Sequence, residues 1–367
     1  MKRKYNFYAG PSTLPLPVLE EIQREIVDYR GHGLSIIETS HRSKEYDAVH
    51  HEAIAHLREL LAVPEDYDIL LLGGGASLQF GMVPLNLLHF DGENASADYV
   101  VSGSWAKKAY GDAKKLGSVN AIFDGKDSNY TTLPKPAEIK PSPGSRYVHI
   151  TSNETIGGLQ FQDWPETGDV PLVADMSSDI MSRRIPVERF GLIYAGAQKN
   201  LGPAGVTVVI IRKQIAEQSP EQLPDYLSYR VHAETESLFN TPPVFSVYAL
   251  NLVLRYLKEQ GGVPPLEETN ARKAELLYRV IDESNGFYRC PVDERYRSRM
   301  NVVFRIAEES LEPVLLEEAA AHDMLGLKGH RSVGGLRASI YNAMPTAGVE
   351  ALAELMRSFA AQHAKRI

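Results

Sequence analysis

PLVADMSSDIMSRRIPVERFGLIYAGAQKNLGPAG, residues Pro171 to Gly205, holds two short apolar runs that each give way to polar residues. Leu172-Val173-Ala174 stops at Asp175. Leu192-Ile193-Tyr194 passes through Ala195-Gly196-Ala197 and then meets Gln198-Lys199-Asn200. Runs this short, bounded by turn residues, read as buried strands. Their polar tips then fall where strands leave a sheet, the edge at which open α/β sheets bind ligands. Most lysines are solvated surface residues. Lys199 sits among Ala, Gly and Pro, so another group can come close to it. A desolvated lysine loses proton affinity and becomes a usable amine.

The same arrangement recurs on both sides of this stretch. Tyr67 to Leu72 reads as a strand that enters Gly73-Gly74-Gly75-Ala76-Ser77 and then a helix. Strand, glycine turn and helix form a phosphate cradle, because free N–H groups at the helix start face the anion. The sequence lacks both the Walker A lysine and the Gly-x-Gly-x-x-Gly spacing. Tyr99-Val100-Val101 ends in Ser102-Gly103-Ser104-Trp105, and Tyr147 to Ile150 leads to Thr151-Ser152-Asn153-Glu154-Thr155. Ser77, Trp105, Thr155, Asp175 and Lys199 therefore all follow strands. Independent surface residues have no reason to collect at one sheet edge.

Strands alternating with helices predict an α/β fold with a mostly parallel sheet. Residues 1–15 read as an extended arm placed on a neighbouring subunit. Amphipathic helices are expected from Val18 to Val27 and from Lys44 to Leu61, and a long one from Phe245 to Gln260 after Pro242-Pro243. The alternation loosens near 258. We therefore expect a large domain over 16–257 and a smaller α+β domain over 258–367. The second is read as helix 270–283, strand 300–306, helix 311–322, strand 336–340 and helix 349–364.

The totals limit the function classes. The chain has 367 residues and a net charge of −8, which argues against a nucleic-acid surface. Cys290 is the one cysteine, so no internal disulfide or cysteine metal site is expected. No apolar run approaches the ~18 residues of a membrane span. Met1-Lys2-Arg3-Lys4 is followed by no apolar leader region. A cytoplasmic enzyme without a metal fits these limits.

A lysine, an acid, a phosphate cradle and an aromatic platform at one edge match the needs of pyridoxal 5'-phosphate (PLP). Lys199 offers the amine for its aldehyde. Asp175 offers the charge that keeps its ring nitrogen protonated. The Gly75-Ala76-Ser77 turn offers N–H donors, and Trp105 a face for the ring.

Seven segments carry a resemblance that spans nearly the whole chain. They are Phe7 to Ser12, Ser40 to Ser43, Gly73 to Ser77, Val173 to Asp179, Ala197 to Gly205, Asn240 to Pro243 and Gly329 to Gly335. Together they resemble the class-V, fold-type-I PLP aminotransferases, in the branch that acts on phosphorylated serine. The resemblance implies a homodimer with shared sites. It makes Lys199 the Schiff-base lysine and Asp175 the partner of the ring nitrogen. Trp105 would stack on the ring, and Thr155 would bond its hydroxyl. Ala76, Ser77 and Gln198 would hold the phosphate, helped by Asn240 and Thr241 from the other subunit. Arg337 is expected on the substrate α-carboxylate, with His41, Arg42, His330 and Arg331 around a distal phosphate or carboxylate.

The implied reaction moves an amino group between O-phospho-L-serine and 2-oxoglutarate. Whether 4-phosphohydroxy-L-threonine is a second substrate stays open. Gly157 departs from the pattern, since many relatives carry a larger polar residue there. The competing readings are a small-amino-acid:glyoxylate aminotransferase, a desulfurase, or a non-catalytic phosphate binder. A desulfurase needs a catalytic cysteine, and Cys290 lies outside every motif.

Overall fold

The computed structural model describes residues 3–88 and 95–363. Met1 and Lys2 of the expected arm, and residues 364–367 of the expected second domain, lie outside the described residues. The elements run β1 (Tyr5–Asn6), α1 (Leu16–Glu25), α2 (Lys44–Leu60), β2 (Tyr67–Leu72), α3 (Gly75–Leu87), β3 (Ser96–Val101), α4 (Ser104–Ala113) and β4 (Ser118–Asp124). Then come β5 (Ser145–Thr151), β6 (Asn153–Glu154), β7 (Leu159–Gln160), β8 (Leu172–Asp175), β9 (Leu192–Gly196) and β10 (Thr207–Arg212). Next are α5 (Lys213–Glu217), α6 (Tyr229–Glu234), α7 (Val244–Glu259) and α8 (Val263–Asp282). The chain closes with β11 (Tyr288–Arg289), β12 (Asn301–Ile306), α9 (Glu312–Ala321), β13 (Met324–Leu325), β14 (Leu336–Ser339) and α10 (Thr346–His363).

A seven-stranded sheet in the order β2-β10-β9-β8-β5-β3-β4 forms the centre. Only β10 runs against its neighbours; the other pairings are parallel. This is the expected α/β architecture of a fold-type-I PLP transferase, with a mixed, mostly parallel sheet. The central strands are apolar at nearly every position because both faces are covered. Ile69, Leu71, Val148, Ile150 and Ala174 join one core, and Leu70, Leu72, Tyr147, Val173 and Tyr194 join the other. No helix among the described residues is long and apolar enough to cross a membrane.

The register decides what meets at the carboxyl edge. Thr151 is opposite Asp175, and Asp175 is opposite Tyr194. Thr207 faces Leu72 on one side and Gly196 on the other. The segments after β2 and β9 therefore emerge at the same edge as Asp175. Ala197 N–H bonds Val206 O at 3.0 Å, closing the loop that carries Gln198 and Lys199.

A separate three-stranded antiparallel sheet, β11-β12-β14, has its own apolar core with α8, α9 and α10. Phe7 belongs to that core, and β1 pairs in parallel with β13. This corrects the expectation that the arm lies on a neighbouring subunit. Tyr5-Asn6-Phe7 has both ladder bonds and an apolar pocket to satisfy within its own chain. Beyond it, Ser12 N–H bonds Gln198 O at 3.0 Å, and Gly10 approaches Lys199.

Two further differences have simple causes. β4 was not anticipated: it is an edge strand with polar Ser118, Asn120 and Asp124, so it shows no apolar run. α8 starts at Val263 rather than Asn270, because Pro264 and Pro265 occupy its first turn, where the missing N–H costs nothing.

The two cores meet across a polar seam. Asn153 Nδ2 donates to Asn301 Oδ1 at 2.8 Å, and Ser298 Oγ donates to Asn153 Oδ1 at 2.6 Å. Asn301 Nδ2 continues to Ser339 Oγ at 3.0 Å. Asn342 N–H bonds Asn200 Oδ1 at 3.1 Å, next to Lys199. Lys273, buried on α8, pins the segment after β14 by donating to Ile340 O, Tyr341 O and Met344 O at 3.0, 2.9 and 3.2 Å. Replacing it with Met (K273M) leaves three carbonyls without that donor. We expect about 3 kcal/mol less stability in denaturant unfolding. An unchanged midpoint would show that the carbonyls find other donors.

Candidate active site

A cavity of about 360 Å³ opens at the carboxyl edge of the sheet, and Lys199 lines it. Its volume lies within the usual range for small-molecule sites. Gly75, Ala76, Ser77, Trp105, Thr155, Asp175, Gln198, His330 and Arg337 line it as well, with Ala9 and Gly10 from the arm. Thirteen sequence-predicted residues besides Lys199 were assigned to one site; the structure brings eight of them, Ala76, Ser77, Trp105, Thr155, Asp175, Gln198, His330 and Arg337, around it.

Lys199 Nζ donates to Thr155 Oγ1 at 2.7 Å and stands 5.6 Å from the centroid of the Trp105 ring. Burial pushes its amine down to about 8; Asp175 and Glu154 resist that, and Arg337 adds to it. The free amine is therefore within reach near neutral pH. Asp175 is buried at the end of β8, and Ser177 N–H bonds its Oδ1 at 2.9 Å. Burial raises the carboxyl, while Ser177 and then Lys199 pull it back.

The glycines have steric reasons here. Gly74 caps α3 with φ +86°, and a Cβ on it would lie 2.5 Å from Leu78 Cδ2. A Cβ on Gly196 would lie 2.6 Å from Gln198 Oε1, so the bare backbone lets Gln198 fold back at the cavity wall. The N–H groups of Gly75, Ala76 and Ser77 belong to the first turn of α3, which has no intrahelical partners for them.

PLP fits these residues. An amine, a buried acid and a helix N-terminus share one cavity. Trp105 Nε1 and Thr151 Oγ1 are buried there without a partner among the described residues.

The mouth is cationic. Arg337 donates to Thr155 O at 3.1 Å, and its Nε is buried and unpartnered. Partial desolvation and then Arg337, Arg331 and Lys108 lower the His330 imidazole, which favours its neutral form. Gly157 lines an adjoining cavity of about 550 Å³ that shares Ile156, His330 and Arg337 with the first. A Cβ there would meet only Tyr130 O, at 3.7 Å. A side chain has room at this position, so the glycine widens the approach.

Five expected residues are not brought to this cavity in one protomer. Arg331 is exposed at the tip of the 329–335 turn, while His330 faces inward. Arg42 is exposed and His41 half-buried in the loop that ends on Ser43, the cap of α2. Asn240 and Thr241 line a different cavity, of about 240 Å³, beside Gly73 and Tyr226. Cys290 is half-buried near β11 and does not line the cavity around Lys199.

One residue of the site was missed. Glu154 is fully buried, and its carboxylate accepts Trp105 N–H at 3.1 Å and Ala106 N–H at 2.8 Å. Burial pushes it up to about 7, against the pull of those two N–H groups. The available signal was Gly103, which opens α4 without a capping side chain.

The fold and this set of side chains define a PLP-dependent transferase of fold type I. The model of the aminotransferase class-V family matches residues 4–352. The phosphoserine aminotransferase of Lysinibacillus sphaericus is 52% identical over 99% of both chains. The solved phosphoserine aminotransferase of Bacillus circulans subsp. alkalophilus superposes with a TM-score of 0.96, at 50% identity over 99% of this chain and 100% of that one. A second solved phosphoserine aminotransferase, described for radiation damage of its Schiff base, gives 0.96 at 48% identity, over 99% of this chain and 100% of that one. An alanine–glyoxylate aminotransferase from Nostoc, at 15% identity over 98% of this chain and 96% of that one and TM-score 0.73, shares the fold alone. The chain belongs to the phosphoserine aminotransferase family within the class-V aminotransferases.

Proposed function

We infer that this chain reversibly transfers the amino group between O-phospho-L-serine and 2-oxoglutarate, the phosphoserine aminotransferase reaction of serine biosynthesis. The observation that carries this reading is the buried Lys199 amine between Asp175 and a mouth lined by Arg337 and His330. When bound, PLP supplies an aldehyde and a ring that takes up the electrons of the substrate Cα–H bond.

The chain's own residues do the rest. Lys199 would take the proton from the substrate Cα and deliver it, on the same face, to the carbon that carried the aldehyde, which a low amine pKa favours. Asp175 keeps a negative charge in a buried place, where it stabilises a facing cation strongly. Trp105 and the arm at Ala9-Gly10 cover the cavity. Arg337 grips a carboxylate by its planar fork. His330 gains charge when a dianion offsets its cationic neighbours.

We propose that a second copy of the chain completes the site. The exposed Asn240 and Thr241 would reach the other protomer's phosphate cradle, and His41 and Arg42 its mouth. Exposed apolar residues on the segment leading to His41, Val27 at 80% and Ile37 at 56%, support that pairing. We also propose the division into a large domain over 16–257 and a small one over 258–367, and a cytoplasmic location, supported by the single half-buried cysteine.

The decisive assay supplies O-phospho-L-serine and 2-oxoglutarate to the PLP-loaded protein and measures glutamate. Plain serine should be at least ~100-fold poorer in kcat/KM, because the charge-assisted bonds to the phosphate are lost. Absence of glutamate would refute the reaction. Equal use of alanine and glyoxylate would favour the glyoxylate-dependent reading instead.

A further inference from the structure

Glu154 is a buried acid that the reaction above does not use. It stands at the end of β6, fully enclosed, with both oxygens directed at the first turn of α4. That helix has Gly103 at its start and no side-chain cap of its own. A carboxylate from another strand supplies the missing cap. Gly103 makes this contact sterically feasible: a Cβ there would lie 2.5 Å from Glu154 Cδ. The first turn so held contains Trp105, whose ring faces Lys199. The next residue after Glu154 is Thr155, which accepts the bond from Lys199 Nζ. The strand end and the residue after it thus reach both the backbone that carries the indole and the amine.

We propose that Glu154 is a positioning residue for the cofactor site: its carboxylate caps α4 through Trp105 and Ala106, setting the indole plane, and places negative charge near Lys199.

This rests on reading the cavity as a PLP site. The groups that act on Glu154 electrostatically come from several elements. Asp175 on β8 repels it, and Lys199 after β9 attracts it. Tyr194 on β9 and Tyr130 are kept protonated partly by its charge. Its carboxyl is raised by burial to about 7, so the cap itself weakens as pH falls through neutrality. A glutamine there (E154Q) keeps the shape and one acceptor but loses the charge. An alanine (E154A) loses both acceptors.

The test compares PLP-loaded wild type, E154Q and E154A by cofactor dissociation constant and by the pH midpoint of the visible absorption band. A negative charge near the Lys199 nitrogen favours its protonated form, so removing that charge lowers the midpoint. We expect E154Q to shift it down by about one unit and to weaken PLP binding about tenfold. E154A should weaken binding further, with altered Trp105 fluorescence. If E154A does not fold, the isosteric E154Q and the shorter acid E154D carry the test, and E154D should keep the wild-type midpoint. A lower melting temperature with midpoint and PLP affinity unchanged would overturn the proposal. A wild type with no visible band would instead overturn the PLP reading on which it rests.

Discussion

Lys199→Ala is expected to abolish the visible band of the PLP-loaded protein and to cut transamination by roughly four orders of magnitude, the upper range for a positioned acid–base group. No neighbouring side chain replaces it: Thr155, its bonding partner, is a hydroxyl, and Arg337 is a guanidinium that stays protonated. The variant should fold normally. Burying an ammonium is unfavourable, as the lowered Lys199 pKa shows, so its loss should not reduce the stability of the cofactor-free protein. Retention of the band, or a rate within tenfold of wild type, would remove Lys199 from the centre of the mechanism. Single-turnover spectra with phosphoserine make the measurement.

Asp175→Asn comes second in size. The amide keeps the volume and can still accept Ser177 N–H, so the wall stays in place. What disappears is a buried negative charge facing the cavity. Loss of one preorganised electrostatic partner typically costs 10²- to 10³-fold in kcat, about 2.7–4 kcal/mol. Cofactor affinity should fall less than kcat, since Gly75, Ala76, Ser77 and Gln198 are untouched. Asp175 is also the charge that does most to hold the Lys199 amine up, so that amine should titrate lower in the variant. An unchanged kcat would refute the role.

Much of this site was legible because burial writes itself into short apolar runs. Leu172-Val173-Ala174 and Leu192-Ile193-Tyr194 are covered on both faces, so their ends could be read as strand ends. The tips gave Asp175 and Lys199, and parallel order made them neighbours. Where a strand lacks burial the signal fails. β4 lies at the sheet edge with polar side chains and left no pattern. Glu154 was invisible for a different reason. A glutamate in a polar cluster looks solvated, and only the fold shows that its oxygens end on the first turn of α4. The arm was misplaced because Tyr5 to Tyr8 does not announce which sheet it will join; its partner, Met324-Leu325, is more than 300 residues distant. Asn240 and Thr241 were read from resemblance and His41, Arg42 and Arg331 from their charge, and one protomer does not gather them.

The seam between the two apolar cores is built from Asn153, Ser298, Asn301, Ser339, Asn200 and Asn342. Amides and hydroxyls hold no charge at any pH where the protein is folded, and mobile ions do not screen their bonds. Ionic strength should therefore reach this enzyme through its substrates, which arrive at the His330–Arg337 mouth as polyanions, and leave the joint behind the cofactor untouched. Salt titrations would raise KM for both amino donors while kcat stays level, separating the enzyme's electrostatic door from the neutral amide and hydroxyl bonds behind it.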